Sequence, residues 1–345
     1  MSDDRITITR PDDWHLHLRD GEMLPAVVPA SARCFGRAIV MPNLQPPIAD
    51  VDAARAYRER IIAARPAGSA FEPLMTLYLT EATTPAEIER AADSGIVHAV
   101  KYYPPGATTN SASGVTSLER ARPALEAMQA RGLPLLMHGE VTDPEVDVFD
   151  REAVFIERHL VPLLRDLPDL RVVLEHVTTR EGVDFVRDAP ARVGATVTAH
   201  HLLLNRNALF EGGLRPHHYC RPLLKREVHR RALVEAVTSG HPRFFLGTDS
   251  APHPRGVKEA DCGCAGVYSA PAAIELYAEV FAGEGALDRL EAFAAWNGPD
   301  FYGLPRNEDT ITLEREPWTM PEICAPEAGG VVPLRAGHDV LWRIA

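Results

Sequence analysis

The chain has 345 residues, 46% hydrophobic and 24% charged, which is the balance of a globular protein with enough apolar surface for a large core and excludes disordered and fibrous classes. With 36 basic against 48 acidic residues the formal net charge is −12, which opposes a nucleic-acid or anionic-membrane partner. No window of about 18 uncharged apolar residues occurs, since even the stretch 26–44 is broken by Arg33 and Arg37, so no transmembrane helix is expected.

Along the chain, short β-like apolar runs, most of them leading to a polar or ionisable residue, alternate about eight times with stretches of helical spacing. The first run is 6–9, continuing toward Trp14-His15-Leu16-His17; the second is 37–41, followed by a helix over 51–64. Run 74–79 precedes a helix at 84–93, where Thr84 is the cap and Glu87 stands three residues on. Run 97–100 leads to Lys101, and a helix is expected over 118–130. Between them, 104–114 carries Pro104, Pro105, Gly106, Gly114 and a Thr-Thr-Asn-Ser stretch, the composition of a mobile loop. Run 133–137 leads to His138 and a helix over 152–164; runs 171–175 and 195–199 lead to His176 and His200; a helix over 227–238 precedes run 244–246, which leads to Asp249. Helical stretches then pass Tyr277 and Val280, and Phe293 and Trp296, and the Pro- and Gly-rich tail 303–345 holds only short β-like pieces at 309–313 and 340–344.

This βαβα order implies a parallel sheet, and eight repeats in about 250 residues imply a single α/β (β/α)8 TIM-type barrel rather than an open doubly wound sheet. The whole chain, 1–345, is expected to be one domain, with the barrel core at about 6–285 and a C-terminal helix and irregular tail, 286–345, as a short appendage. The opening Met1-Ser2-Asp3-Asp4-Arg5 lacks the basic start and apolar run of a secretory signal. Five scattered cysteines (Cys34, Cys220, Cys262, Cys264, Cys324) fit free thiols in a reducing, cytoplasmic compartment.

Alternate residues of a strand share a face, so His15 and His17 can bind one metal ion. Lys101, His138, His176 and Asp249 each follow an apolar run and would converge on the C-terminal face of a barrel, where catalytic groups collect. Imidazoles with one carboxylate suit zinc, with cobalt, manganese, nickel and iron also compatible. A lysine among them is anomalous, because an ammonium has no lone pair: it is either paired to an acid or solvated, or converted by CO2 to a carbamate that bridges two metals. Cys262 and Cys264 are too close for the C-x2-C of a structural zinc site. His200 and His201, at the end of a run, read as supports behind the metal ligands or as structural, and His159, His217, His218, His229 and His241 carry no spacing signal.

The stretches 12–19, Met41-Pro42-Asn43, 101–104 with 107–111, 137–140, Glu175-His176, 198–202, 247–253 and 262–266 resemble the dihydroorotases of the amidohydrolase superfamily, in the short stand-alone form found in bacteria and yeast, over about 6–318. The resemblance implies reversible cyclisation of N-carbamoyl-L-aspartate to L-dihydroorotate in pyrimidine (UMP) synthesis. It implies two zinc ions per subunit, one held by His15, His17, Lys101 and Asp249, the other by Lys101, His138 and His176, with Lys101 as N6-carboxylysine and a hydroxide bridging the metals. Asp249 would be the general acid and base. Arg19, Asn43 and His253 would grip the substrate carboxylate, Arg221 and Ala265 would contact substrate through backbone, and Thr108 and Thr109 would reach it from the 104–114 loop. Relatives carry an apolar residue where Arg221 stands, a change that a backbone contact tolerates. The family also suggests a homodimer. Hydantoinases and allantoinases, which share the metal ligands, are the alternative reading, and a catalytically silent scaffold is opposed by the presence of all six ligands.

Overall fold

The computed structural model describes residues 4–345; residues 1–3, part of the stretch read as lacking a secretory signal, lie outside the described residues. Strand β1 (Arg5–Thr9) is followed by the eight strands of the barrel: β2 (Asp13–Leu16), β3 (Arg37–Val40), β4 (Glu72–Tyr78), β5 (Val97–Tyr102), β6 (Leu135–His138), β7 (Val172–Glu175), β8 (Val193–Val197) and β9 (Phe244–Leu246). They pair in chain order, all parallel. Because helices cover the outside and side chains fill the inside, strands such as β7 and β8 are buried at every position, which is why they read as unbroken apolar runs.

Closure joins β2 to the chain after β9. Leu16 and Ser250 form a parallel bridge, Asp249 N–H donates to the His15 carbonyl at 2.7 Å, and His17 N–H donates to that of Ser250 at 3.0 Å. Asp13 reinforces the seam, accepting from the Thr248 N–H at 2.9 Å and its hydroxyl at 2.5 Å.

The first apolar run is not one barrel strand. Pro11, which has no N–H to donate, separates it into β1 and β2, and only β2 enters the barrel. β1 instead pairs antiparallel with β10 (Thr310–Glu314), which pairs with β13 (Arg343–Ile344); β11 (Trp318–Thr319) pairs with β12 (Asp339–Val340). The short β pieces expected in the tail thus lie in two small sheets, β1–β10–β13, built on the N-terminal strand, and β11–β12, with irregular chain between them.

Helices Val51–Ala63, Pro85–Asp93 and Glu227–Thr238 lie where the spacing places them, the first two capped by Asp50 and Thr84. The expected helix at 118–130 starts later, as Arg122–Arg131. That over 152–164 is divided: a π-helical turn, Ile156–Leu160, joins Arg151–Phe155 to Val161–Asp166, and Pro162, lacking an N–H, disrupts the regular ladder there. Helix Met23–Cys34 was not anticipated, because Pro25 and Pro29 interrupt its pattern; nor was the short Arg180–Asp188.

Inside the barrel a separate apolar cluster contains Trp14, Ile39, Met41, Leu74, Ala99, Leu136, Val173 and Phe245. It is completed by Tyr302 from helix Asn297–Tyr302, whose ring stacks on Trp14 at 4.4 Å. A Cβ on Gly298 would lie 1.9 Å from Trp14 Nε1, so only glycine lets this helix approach.

Candidate active site

Each of the six expected metal ligands stands at the C-terminal end of a barrel strand. His15 is in β2 with His17 just beyond it, Lys101 is in β5, His138 ends β6, His176 follows β7, and Asp249 is three residues past β9. Ligand atoms of His15, His176 and Asp249 lie within 4.8 Å of one another. Asp249 Oδ1 is 3.3 Å from His15 Nε2 and 3.0 Å from His17 Nε2, and the His138 ring is 4.8 Å from that of His176. His176 and Asp249 have φ of 42° and 44°, a left-handed backbone that aims both side chains inward at the strand ends.

Outer groups fix the rings. Glu175 accepts from His15 Nδ1, Asn43 Oδ1 from His17 Nδ1 at 2.9 Å, and Glu140 from His138 Nε2 at 2.8 Å, which leaves Nε2, Nε2 and Nδ1 as the respective ligand atoms. A chain runs from the His176 N–H to Thr196 Oγ1 at 2.7 Å and from that hydroxyl to Glu175 at 2.8 Å, tying two ligands to one carboxylate. Spacing did not reveal Glu140, Glu175 or Asp13; the only sequence signal was their adjacency to ligand histidines, in His138-Gly139-Glu140, Glu175-His176 and Asp13-Trp14-His15.

Whether the donors fit a metal pair is tested by what they leave unsatisfied. Lys101, with 0% of its surface exposed, has no partner for Nζ, and His176 Nδ1, also buried, has none. Orphaned buried polar groups are rare and costly, and both sit where a cation and a carbamate would satisfy them. Burial lowers the Lys101 amine to about 8 against the pull of Glu175 and Asp249, which enriches the neutral form that reacts with CO2. Burial also brings His17 down to about 4, keeping a lone pair for a metal at neutral pH. Burial pushes Asp249 up, but the neighbouring His15 and bonds from both histidines hold its carboxyl well below the usual range. The residues present fit zinc.

The remaining expected residues surround this cluster. Arg19, at φ 58°, donates from Nε to the Pro252 carbonyl at 3.0 Å and has Nη2 2.8 Å from His253 Nε2. His253 lies behind Arg19, 3.0 Å from the Ala265 carbonyl, and burial with the Arg19 charge lowers it to about 2, so it is neutral. Asn43 spends both ends of its amide on protein, accepting from His17 and donating to the Thr109 carbonyl at 3.0 Å. Thr108, Thr109, Arg221 and Ala265 line the same pocket, and so does Tyr103, whose buried hydroxyl has no partner.

The 104–114 loop is closed over the site. Asn110 Nδ2 donates to the Asn43 carbonyl at 3.0 Å, and Thr109 Oγ1 is 3.5 Å from the Ala265 carbonyl across the pocket. Beneath it the cavity is about 20 Å³, room for about one water, so a six-membered ring can enter only with the loop raised.

A (β/α)8 barrel that gathers four histidines, a lysine and an aspartate at its strand ends defines a metal-dependent hydrolase. Residues 9–317 match the Amidohydrolase family. A dihydroorotase of Cupriavidus taiwanensis is 65% identical over 339 residues, 98% of each chain. A Saccharomyces cerevisiae dihydroorotase solved in complex with 5-fluoroorotic acid superposes with a TM-score of 0.92 at 34% identity, covering 99% of this chain and 98% of the other. An L-hydantoinase of Arthrobacter aurescens, at 16% identity and TM-score 0.82 over 99% and 83% of the two chains, shares the fold alone. The chain belongs to the amidohydrolase family and, within it, to the dihydroorotases.

Proposed function

We propose that this site performs the dihydroorotase reaction, the reversible ring closure of N-carbamoyl-L-aspartate to L-dihydroorotate in pyrimidine synthesis. The observation that carries the reading is the convergence of all six candidate ligands on one barrel face with Arg19 beside them. His15, His17, Lys101 and Asp249 would hold one zinc ion, and Lys101, His138 and His176 the second, with Lys101 as N6-carboxylysine shared between them. When bound, the zinc pair supplies a nucleophile at neutral pH, by lowering the pKa of water to about 7, and polarises the amide carbonyl.

The chain's own residues do the rest. Asp249, held as a carboxylate, accepts the proton of the attacking water as the ring amide is cleaved and returns it to the departing nitrogen; in ring closure the transfers reverse. Arg19 supplies the charge that an overall acidic protein otherwise lacks for an anionic substrate, and its guanidinium is oriented by Pro252 and His253. Closure of 104–114 brings Thr108 and Thr109 onto the substrate and excludes bulk water. We assign the chain to the cytoplasm, as a homodimer acting on a small molecule. Its free thiols suit a reducing compartment, and Phe210 and Leu214, 62% and 76% exposed, are large apolar side chains of the kind a subunit contact covers.

A hydantoinase reading does not require Arg19 to meet a substrate carboxylate. Arg19→Ala is expected to cut kcat/KM for dihydroorotate by about 10²-fold, the scale of a lost charged contact of about 3 kcal/mol, with zinc content unchanged. Undiminished turnover of dihydroorotate, or hydantoin as the better substrate of the unaltered enzyme, would refute the assignment.

A further inference from the structure

Among the described residues, one other group of side chains outside the site described above is placed to hold a metal ion. His200, His201 and Cys220, all buried, have ligand atoms within 4.8 Å of one another. His200 is 0% exposed, yet neither ring nitrogen has a hydrogen-bond partner, which is an expensive state for an imidazole unless something else engages it. Burial lowers His200 to about 4, so the ring is neutral and offers a lone pair. His201 Nε2 is 3.8 Å from Cys220 Sγ, and the Pro222 carbonyl oxygen lies 3.0 Å from that nitrogen and 3.2 Å from that sulfur. With Zn–N of about 2.0 and Zn–S of about 2.3 Å, the edges of a zinc tetrahedron are about 3.3 to 3.5 Å, so these donors already stand close to the required spacing.

We propose that His200, His201 and Cys220, with the Pro222 carbonyl as fourth donor, bind a structural zinc ion distinct from the catalytic pair. Two imidazoles and a thiolate are the donor set of a borderline-soft cation such as zinc, not of calcium or magnesium. Binding sends the Cys220 thiol proton to solvent. The His201 proton moves from Nε2 to Nδ1, where Thr198 Oγ1, 2.7 Å away, accepts it and holds the ring in its ligating tautomer. The charges around the cluster are Lys258, Lys225, Asp249 and Glu140. Burial pushes the Cys220 thiol up to about 12; Lys258, tethered to the carbonyls of Tyr219 and Gly266 at 2.9 and 2.5 Å, and Lys225, tethered to that of Leu223 at 3.1 Å, pull the other way, and it is the ion that displaces the proton. The ion would pin helix Ala199–Leu203, which follows β8, to the 219–222 segment, and so fix the wall that presents Arg221 to the catalytic pocket.

The catalytic ligand set contains no sulfur, which makes cobalt a diagnostic probe. Chelator-stripped full-length protein is titrated with Co²⁺ in bicarbonate buffer, beside Cys220→Ser and His200→Gln. The unaltered protein is expected to develop a sulfur-to-cobalt charge-transfer band with the amplitude of one thiolate–cobalt bond per chain, complete once all three sites are filled, and to retain one zinc more per chain than either variant. Both variants should lose the band and that equivalent yet still open dihydroorotate. No band in the unaltered protein overturns the proposal, whatever the variants do. So does a band that survives in a folded Cys220→Ser protein, which would place the metal on Cys262 or Cys264; if that variant fails to fold by circular dichroism, His200→Gln and the unaltered spectrum decide.

Discussion

Lys101 shows how far a single residue's chemistry is set by where the fold puts it. A lysine of ordinary pKa is neutral only a few times in ten thousand at pH 7, whereas one lowered to about 8 is neutral about one time in ten. The charged form is disfavoured by burial, so reactivity toward CO2 rises with pH and levels off once the amine is fully neutral. In metal-free protein, the initial rate of ¹³C-labelled CO2 uptake at Lys101, normalised to dissolved CO2 and followed by NMR, should rise about tenfold per pH unit below 8 and plateau above it. A rise continuing to pH 10 would show that burial does not tune this amine. At this scale the sequence was informative about ligands and silent about their supports. His138, His176 and Asp249 follow apolar runs, and that position on a barrel strand is itself the signal. Glu140, Glu175 and Asp13 are buried carboxylates, and nothing in a string of letters separates a buried acid from a surface one. The left-handed backbone at Arg19, His176 and Asp249 was equally illegible, because no glycine marks it.

Among the elements, the 104–114 loop was legible from its Pro, Gly and Thr-Thr-Asn-Ser composition, but its closed position was not, because that depends on partners far along the chain at Asn43, Tyr78 and Ala265. Its base is fixed where Gly114 crosses Tyr103: a Cβ there would stand 2.1 Å from the Tyr103 carbonyl oxygen. Thr108→Ala combined with Thr109→Ala should lower kcat by about 10-fold or more while zinc content stays the same, because the change touches closure and substrate contact but no ligand. Unchanged steady-state kinetics would remove the loop from the account. Three of the elements misread from sequence, the first run, helix Met23–Cys34 and the divided 151–166 helix, share one cause. Proline breaks the periodic pattern at Pro11, Pro25, Pro29 and Pro162, and only the structure shows whether the chain ends an element there, as at Pro11, or continues through it, as at Pro29.

At the scale of the whole molecule the eight-fold alternation specified the barrel, while the role of the C-terminal region escaped it, because Tyr302 and Gly298 act through contacts with Trp14 nearly 300 residues away. Gly298→Ala should push Trp14 off its stack and destabilise the protein by about 1–3 kcal/mol, the usual scale of overpacking, read by urea unfolding. Unaltered stability would mean that the helix can retreat without loss. Since Trp14 immediately precedes His15, the same contact connects the floor of the barrel to the metal ligands at its mouth. The central claim, that this barrel opens and closes the dihydroorotate ring with a metal pair on a carbamylated lysine, is tested most directly by one cycle. Ring opening of dihydroorotate is followed by its ultraviolet absorbance on protein purified without chelator, again after metal stripping, and again after zinc and bicarbonate are restored together and zinc alone in CO2-free buffer. The account predicts activity that is lost on stripping, returns with zinc plus bicarbonate, and returns poorly with zinc alone. Activity that survives complete stripping, or protein that is inert at every stage with zinc bound, would contradict it.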